Sequence, residues 1–384
     1  MQLLENLEIA SKVEPQPFGR PAIEFDGITG IATTPGLKST ANFDEFLAEA
    51  GYDPELYEVV GTPRTSRWQQ REGGEWLTAY RFTFRLRNAF IDLPLLWATA
   101  RKGINRTTPK STNNQTLVIL WSDLQLGKVD SRGNSEALFK RVEETVQKLI
   151  AKVKKDKPNQ IIFCDVGDIV ENFTNAADLA QLQSNDLSIQ QQIDIATTIV
   201  WDVLKRLTPH TERITYASVG SNHCQMRVNK QRVFKPVDDW GIHIGRTLAR
   251  LAHETNLPIK FIEPQPHDES LAYDVFGDGF HILGLWHGHQ AARPDGVPDW
   301  WRKQAFGRQP VADATVGVSG HFHHLQVREL GSTNKGHSRY WIQASTLDNG
   351  SSWYRLNAGE DSQPGLVCFE LHKDQPFTGT VFKL

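Results

Sequence analysis

The sequence has no long apolar run, few cysteines and almost no net charge. None of its stretches approaches the roughly 18–20 apolar residues that a membrane-spanning helix requires, so we expect no membrane partner. The three cysteines, Cys164, Cys224 and Cys368, show no CxxC spacing, and an odd number cannot all pair within one chain. Free thiols in a reducing compartment are therefore expected. The formal net charge of −3 argues against a chain that is basic throughout, although a local basic patch is compatible with it.

Length and composition are those of an ordinary globular protein. The chain has 384 residues, of which 39% are hydrophobic and 23% charged, and this length predicts two domains. The first residues, MQLLENLEIASKVEP, include acidic side chains and lack the apolar centre of a signal peptide. We therefore expect a cytoplasmic protein. Nothing in the sequence predicts its oligomeric state.

Shifts in composition along the chain predict its domain organisation. We expect an irregular, Pro-, Gly- and Thr-rich lead-in over 1–40, a small α+β domain over 41–100, a polar linker over 101–115 and a large domain over 116–384. A capping signal ending at Asn42 predicts a short helix from Phe43 to Ala50.

Within the small domain, residues 64–87 have the pattern of a β-hairpin. Tyr80, Phe82 and Phe84 alternate with arginines, which is typical of a strand with one buried face. The aromatic stripe of this hairpin, Trp76, Tyr80, Phe82 and Phe84, is more often core than a stacking surface.

The large domain alternates buried strands with helices. Apolar runs predict strands, and helical spacing of apolar residues predicts the segments between them. The strands are expected at 116–121, 161–164 and 214–219, the helices at about 135–155, 178–207 and 236–255, and further strands at 259–263, 271–275, 280–286, 314–319, 339–344 and 366–371. This order predicts an α/β layered fold.

Residues with metal-binding side chains follow five of these strands. In α/β folds ligands collect at the carboxyl ends of strands, and five successive occurrences are hard to attribute to chance. The segments are 123–127 (DLQLG), 167–172 (GDIVEN), 220–223 (GSNH), 286–289 (WHGH) and 320–324 (GHFHH).

In their order and spacing, these segments resemble the calcineurin-like metallophosphoesterase superfamily. Its pattern is D-x-H, G-D-x-x-[DE], G-N-H-[DE], a lone His and G-H-x-H, and the resemblance covers about 200 residues of this chain. It implies a four-layer αββα sandwich and a site for two divalent metal ions at one edge. It also implies hydrolysis of a phosphate ester, with a metal-bridging hydroxide attacking phosphorus between ions about 3.5–4 Å apart.

The resemblance assigns a role to each matching residue. It implies that the first ion is held by Asp123, Gln125, Asp168 and His323. It implies that the second ion is held by Asp168, Asn222, His287 and His321, with Asp168 bridging the two. Imidazole, carboxylate and amide ligands together favour Mn²⁺, with Fe or Zn as alternatives.

Two further residues take catalytic roles under this resemblance. His223 protonates the leaving oxygen or holds the phosphate, and Glu171 hydrogen-bonds His223 and fixes its tautomer. His289 and His324 fall outside the ligand positions. We expect His289 to lie beside the site or the substrate, and His324 to lie either beside the site or on the surface.

Three residues depart from the superfamily pattern. Gln125 stands where the pattern has histidine, Ser221 where it has glycine, and Cys224 where it has an acid. A glutamine oxygen binds a transition metal more weakly than imidazole, so we expect the first ion to be held less tightly than the second. A degenerate site that binds one ion or none is the alternative.

The pattern predicts a reaction class, and the substrate is a separate question. The segment 122–127 resembles double-strand-break-repair exonucleases of the superfamily, and residues 61–115 contain ten basic and three acidic residues. Both favour a phosphodiesterase or nuclease acting on DNA or RNA. A phosphomonoesterase acting on a nucleotide or phosphoprotein is one alternative, and a non-catalytic binding adaptor is the other. Equally, the arginines of this region could be solvated strand faces.

A weaker resemblance concerns the origin of the chain. Gly51-Tyr52-Asp53-Pro54, followed by a Trp-rich hairpin, is similar to the N-terminal part of uncharacterised phosphoesterases encoded by phages. This similarity implies a viral protein acting in the host cytoplasm.

Overall fold

The chain forms two compact units, Met1–Ile91 and Asp92–Leu384, in a computed structural model. The structure describes residues 22–25, 29–38, 42–49, 54, 57–69, 71, 73–86, 114–172, 185–228, 231–232, 235–333, 336–359 and 362–384. Of the predicted linker over 101–115, only Asn114 and Gln115 belong to the described residues. The domain boundaries expected from composition therefore stay predictions.

The small unit contains a four-stranded antiparallel sheet and a short helix. Its elements are β1 (Ala22–Phe25), β2 (Thr29–Thr33), α1 (Phe43–Glu49), β3 (Tyr57–Gln69) and β4 (Trp76–Leu86). The strand order is β1–β2–β4–β3. The prediction that 1–40 is irregular is wrong where it covers β1 and β2. Ile31 of β2 lies opposite Thr83 of β4, and a pairing partner so far along the chain leaves no local signal in composition.

The predicted helix and hairpin of this unit are both present. The Asn42 side chain accepts hydrogen bonds from the backbone N–H groups of Asp44 and Glu45 at 3.2 and 3.5 Å, which is the capping that the sequence predicts. Phe82 and Phe84 of β4 are buried and belong to one cluster with Leu47 of α1. Phe82 and Phe84 are therefore core, whereas the prediction is wrong for Trp76, which is 51% exposed. Ala50, the expected last residue of the helix, lies outside the described residues.

The large unit contains two mixed β-sheets. The first comprises β5 (Gln115–Trp121), β6 (Gln160–Asp165), β7 (Arg213–Ser218), β10 (Ile259–Ile262), β16 (Val367–His372) and β17 (Val381–Lys383). The second comprises β11 (Ser270–Asp274), β12 (Ile282–Trp286), β13 (Val316–Ser319), β14 (Gln326–Ser332) and β15 (Ser338–Gln343). Their orders are β10–β7–β6–β5–β16–β17 and β11–β12–β13–β15–β14. Strands β8 (Arg227–Val228) and β9 (Gln231–Arg232) form a separate short pair.

The helices of the large unit only partly match the sequence prediction. They are α2 (Ser135–Asp156), α3 (Ile189–Leu207), α4 (Trp240–Glu254), α5 (Val297–Phe306) and α6 (Ser352–Ala358), with 3₁₀ turns at Thr208–His210 and Pro294–Gly296. The predicted helix over 178–207 begins later, because Ser188 and Gln191 form a capping box at the start of α3. Residues 178–184 lie outside the described part. Among the helices that the structure describes, none is both long and apolar enough to cross a membrane.

The two large sheets share one apolar core. Val118, Ile162 and Ala217 of the first sheet belong to the same buried cluster as Leu285, Val318 and Ile342 of the second. On the other face of the first sheet, neighbouring strands carry the rings of Trp121, Phe163 and Tyr216, with centroids 5.3 and 5.6 Å apart. The first sheet is thus buried on both faces, and the predicted α/β class is confirmed. Cys164, Cys224 and Cys368 are buried free thiols.

Candidate metal centre

The predicted ligands lie in loops that follow parallel strands. Strands β5, β6 and β7 run parallel, so the loops after them meet at one edge of the sheet. Backbone hydrogen bonds join these loops. Asp123 N donates to Gly167 O at 3.0 Å and Gln125 N donates to Asp168 O at 2.9 Å, while Gly320 N donates to His287 O at 2.8 Å after the second sheet's parallel strands.

Many of the predicted ligands have an unusual backbone conformation. Nine described non-glycine residues have positive φ, and five of them are predicted ligands: Asp123 (50°), Gln125 (45°), Asp168 (52°), His321 (70°) and His323 (62°). Such a conformation costs on the order of 1–3 kcal/mol for each residue and persists only where the surroundings impose it. Strain of this kind concentrates at functional sites, and single-residue propensities did not predict it here.

Two glycines permit the close approach of these loops. A Cβ atom added to Gly167, which has φ of 104°, would lie 2.5 Å from Ser221 Cβ and 2.6 Å from His287 Nδ1. One added to Gly320 would lie 2.4 Å from Asp123 Oδ2. Each of these two motifs therefore begins with glycine because a side chain at that position would overlap its neighbours.

Asp168, His287 and His321 converge on one point. Among the residues that the structure describes, they form the one group of three His, Cys, Asp or Glu side chains whose ligand atoms all lie within 4.8 Å of one another. His287 Nε2 lies 2.9 Å from Asp168 Oδ2 and 2.9 Å from Asn222 Oδ1. With Asn222 included, this set contains all four residues predicted for the second ion.

The orientation of His287 fits a metal ligand. Its Nδ1 lies 2.7 Å from the carbonyl oxygen of Val166, which accepts a hydrogen bond from it. This contact directs Nε2 toward Asp168 Oδ2 and Asn222 Oδ1. The buried Asp168 Oδ2 makes no hydrogen bond of good geometry, although His287 Nε2 is 2.9 Å away. A ring nitrogen, a carboxylate oxygen and an amide oxygen that face one point are a suitable donor set for a divalent transition-metal ion.

The two histidines of this group have pKa values shifted in opposite directions. Burial alone would lower the pKa of His287, but Asp168 and Asp123 outweigh it and raise the pKa to about 9. Burial, assisted by the charge of His287, lowers the pKa of His321 to about 3. His321 is therefore neutral near pH 7, the form in which imidazole binds a metal ion. Against the effect of burial, His287 and His223 hold the pKa of Asp168 well below its usual range.

The residues predicted for the first ion are arranged differently. Gln125 Oε1, the atom expected to bind that ion, accepts a hydrogen bond from Lys128 Nζ at 2.6 Å. The amide nitrogen of Gln125 lies 3.2 Å from His223 Nε2. Both oxygens of Asp123 accept from the backbone N–H of His321, at 3.1 and 3.0 Å. Gln125 Oε1 and both carboxylate oxygens of Asp123 thus already accept hydrogen bonds, whereas Asp168 Oδ2, which faces His287, makes none of good geometry.

Sequence reasoning missed Lys128 and Asp348. Asp348 Oδ2 lies 3.0 Å from Lys128 Nζ and 3.2 Å from His323 Nδ1. Burial alone would raise the pKa of Asp348, but these two groups outweigh it and hold the pKa far below its usual range. Asp348 and Asp123 together overcome burial and raise the pKa of His323 to about 10. Lys128 stands directly after the first motif, whereas Asp348 opens an Asp-Asn-Gly sequence with the appearance of a simple turn.

His223 and Glu171 are in the predicted contact. His223 Nδ1 lies 3.1 Å from Glu171 Oε2 and is hydrogen-bonded to the backbone oxygen of Glu171 at 3.1 Å, and His223 N donates to Asp168 Oδ1 at 2.8 Å. Burial would lower the pKa of His223, but the carboxylates of Glu171 and Asp168 outweigh it and raise that pKa. The catalytic roles of both residues stay predictions.

His289 lies beside the group, and His324 lines a neighbouring cavity together with His323. The rings of His289 and His287 are 5.5 Å apart, and burial, assisted by His287, lowers the pKa of His289 to about 3. His324 Nδ1 contacts Phe322 O at 2.7 Å. A cavity of about 420 Å³ lies next to the site, and its lining includes Arg132, His323, His324, Asp348 and Tyr354.

Comparisons with known proteins leave the family unassigned. No protein-family model matches the sequence, and no curated protein matches it. A solved structure, "Structure of PhoD", aligns with this chain at 8% sequence identity and a TM-score of 0.31. The alignment covers 92% of this chain and 83% of the PhoD chain. Similarity at this level establishes neither a shared fold nor a shared function. The calcineurin-like superfamily therefore stays a prediction from the sequence motifs.

Proposed function

We propose that this protein is a metal-dependent phosphoesterase. The observation that carries the proposal is the convergence of Asp168, Asn222, His287 and His321 on one point, with His223 beside them. The order of the motifs along the chain supports it independently. Mn²⁺ is the ion we expect first, with Fe or Zn as alternatives.

The chemistry divides between the ion and the chain. A bound divalent ion would polarise a phosphoryl oxygen and stabilise the charge that develops on it. Asp168 and Asn222 supply oxygen donors for it, and His287 and His321 supply ring nitrogens. His223 would deliver a proton to the leaving oxygen from Nε2, because its other ring nitrogen faces Glu171 at 3.1 Å.

The large unit would then be the four-layer αββα sandwich of the superfamily. Its two sheets share a core, and α4 packs on β7 and β10 of the first sheet while α3 packs on α2 and α4. These contacts support helices on the outer face of the first sheet.

A phosphodiester in DNA or RNA is the substrate we favour. On the hairpin of the small unit, Arg64 lies directly opposite Arg81, and both side chains are exposed. Like charges in that position are destabilising in themselves and favourable where a phosphate backbone binds. Arg67 lies over the ring of Trp76 at 4.9 Å, and that ring is 51% exposed. An exposed aromatic ring beside arginines supports binding of single-stranded nucleic acid.

A phosphomonoesterase is the second candidate. The cavity beside His323 has a volume of about 420 Å³, which suits a small phosphate ester better than a polymer. Arg132 and His324 in its lining could contact an anionic group. A non-catalytic adaptor is the third possibility, and the intact donor set argues against it.

The test uses the purified full-length chain with added Mn²⁺. We expect hydrolysis of a bis-aryl phosphodiester and of oligonucleotides, with slower hydrolysis of an aryl phosphomonoester. His223→Ala should reduce turnover most with poor leaving groups. His253→Ala, a change at an exposed histidine of α4, serves as the matched control. Cleavage of monoesters alone would favour the second candidate, and no cleavage of any phosphate ester would contradict the proposal.

A further inference from the structure

A lysine lies among the residues predicted for the first metal ion. Lys128 is 8% exposed, and its ammonium group lies 2.6 Å from Gln125 Oε1 and 3.0 Å from Asp348 Oδ2. A buried lysine charge requires such partners. Here the partners include the side-chain oxygen that the sequence pattern assigns to a metal ion.

Through Asp348, the contacts of Lys128 extend to His323 and Asp123, two residues predicted to bind the first ion. Asp348 Oδ2 lies 3.2 Å from His323 Nδ1, and His323 Nε2 lies 3.4 Å from Asp123 Oδ1. Lysine, carboxylate, imidazole and carboxylate thus follow one another in space. The carboxylate of Asp348, which lies beside the predicted ligand His323, is thus already paired with a fixed cation.

Donor atoms in this set are also committed elsewhere. Asp123 accepts hydrogen bonds from His321 N and from the Ser122 hydroxyl group. Thr346 Oγ1 donates to the backbone oxygen of Asp123, which fixes this loop further. Across the described ranges, Asp123 and His323 do not belong to the group whose ligand atoms converge within 4.8 Å.

The charge of Lys128 explains why the residues predicted for the first ion would bind a divalent ion less well than those predicted for the second. A divalent ion beside Lys128 would face a buried positive charge at short range, and Coulomb repulsion between such charges is weakly screened inside a protein. The histidine that the superfamily pattern has at position 125 adds no permanent charge and presents a ring nitrogen. Gln125 instead presents an oxygen that can accept a hydrogen bond from lysine.

We propose that this site holds one divalent ion, bound by Asp168, Asn222, His287 and His321, and that the Lys128 ammonium group takes the electrostatic place of a second ion. This inference rests on the proposed metal site and refines the proposed function. It replaces the pair of unequal ions expected from the sequence with one ion and one fixed monovalent cation. Lys128 then acts through Gln125 and Asp348 as a positioning residue.

Metal stoichiometry tests the inference without any measurement of turnover. The metal-free full-length chain is dialysed against excess Mn²⁺, and its bound metal is measured by elemental analysis. We expect one Mn²⁺ for each chain, with the electron paramagnetic resonance spectrum of an isolated ion. Two ions, or the spectrum of an exchange-coupled pair, would overturn the inference, as would binding of no ion.

Substitutions test whether Lys128 is the residue that prevents binding of a second ion. The double substitution Gln125→His with Lys128→Met restores the ligand of the superfamily pattern and removes the charge, so we expect it to bind a second Mn²⁺. Lys152→Met is the matched control, because Lys152 is similarly paired, at 2.7 Å from both Asp156 and Glu370, and lies outside the site. It should still bind one ion. A folded double variant that binds only one ion would contradict the role of Lys128, and the wild-type stoichiometry remains decisive if that variant does not fold.

The outcomes separate this inference from the proposed function. One bound ion without hydrolysis of any phosphate ester would leave the inference intact and contradict the function. Hydrolysis with two bound ions would support the proposed function and contradict the inference.

Discussion

The hydroxyl oxygen of Ser221 accepts a hydrogen bond from the backbone N–H of Asp168 at 2.9 Å, and both residues are buried. Ser221 N in turn donates to Asp239 Oδ2 at 2.9 Å, and Asp239 Oδ1 caps α4 by accepting from Ile242 N at 3.1 Å. Ser221, which stands where the superfamily pattern has glycine, therefore holds the backbone of Asp168. It also ties the loop of Asp168 to the start of a helix.

Removal of the Ser221 hydroxyl group should destabilise the large unit. In Ser221→Ala the buried N–H of Asp168 loses its acceptor, which costs about 1–3 kcal/mol of unfolding free energy. Urea unfolding followed by circular dichroism measures the change. Ser338→Ala, which removes an exposed hydrogen bond to Glu329, should change stability by less than about 0.5 kcal/mol. Equal changes in unfolding free energy for the two substitutions would show that the Ser221 hydrogen bond stabilises the large unit no more than an exposed one does.

The two histidines of the WHGH segment should differ in their effect on metal binding. His287→Ala should abolish tight Mn²⁺ binding, because this ring faces both Asp168 and Asn222 at 2.9 Å. His289→Ala should retain binding of the ion, since His289 is adjacent to the group without belonging to it. Isothermal titration with Mn²⁺ gives both results. Retained affinity in the His287 variant would place the ion elsewhere.

Gly167 should tolerate no larger residue. In Gly167→Ala the new methyl group would meet Ser221 Cβ at 2.5 Å in a backbone with φ of 104°, so strain and steric overlap add. We expect a loss of more than about 1 kcal/mol of unfolding free energy. Gly277→Ala is the control, because Gly277 also has positive φ, at 72°, but a Cβ there meets nothing within 4 Å. The two melting temperatures should differ, and similar values would contradict the steric argument.

Nucleic-acid binding should depend on the hairpin arginines. Gln substitutions at Arg64 and Arg81 should weaken binding of a single-stranded oligonucleotide. They should also make the affinity less sensitive to salt, with a logarithmic slope that falls by about 0.7 for each phosphate that an arginine no longer neutralises. Hydrolysis of a small aryl diester should be unchanged. Arg246→Gln, at an exposed arginine paired with Glu263, is the control. Unaltered binding in the double variant would leave these arginines as a solvated strand face.

Local patterns predicted much of the large unit and of the candidate site. Apolar runs such as 116–121 correspond to strands, and the polar residues after them lie where parallel strand ends meet. The composition of 1–40 did not predict β1 and β2, because β4, the strand that joins β2 to the rest of the sheet, lies far along the chain. The contact of Lys128 with Asp348 joins residues 220 positions apart. No periodicity or spacing reports such a pairing, and only the folded chain brings it together.

The most direct test of the central claim is metal-dependent turnover of a bis-aryl phosphodiester by the full-length chain, before and after chelation, with Asp168→Asn alongside. Asp168 contacts His287 and also accepts from His223 N, so its loss should remove the ion and the activity together. We predict hydrolysis that disappears on chelation, returns with Mn²⁺ and is absent in the variant. Hydrolysis that survives chelation or the substitution, or no hydrolysis by the metal-loaded wild type, would contradict the proposed function.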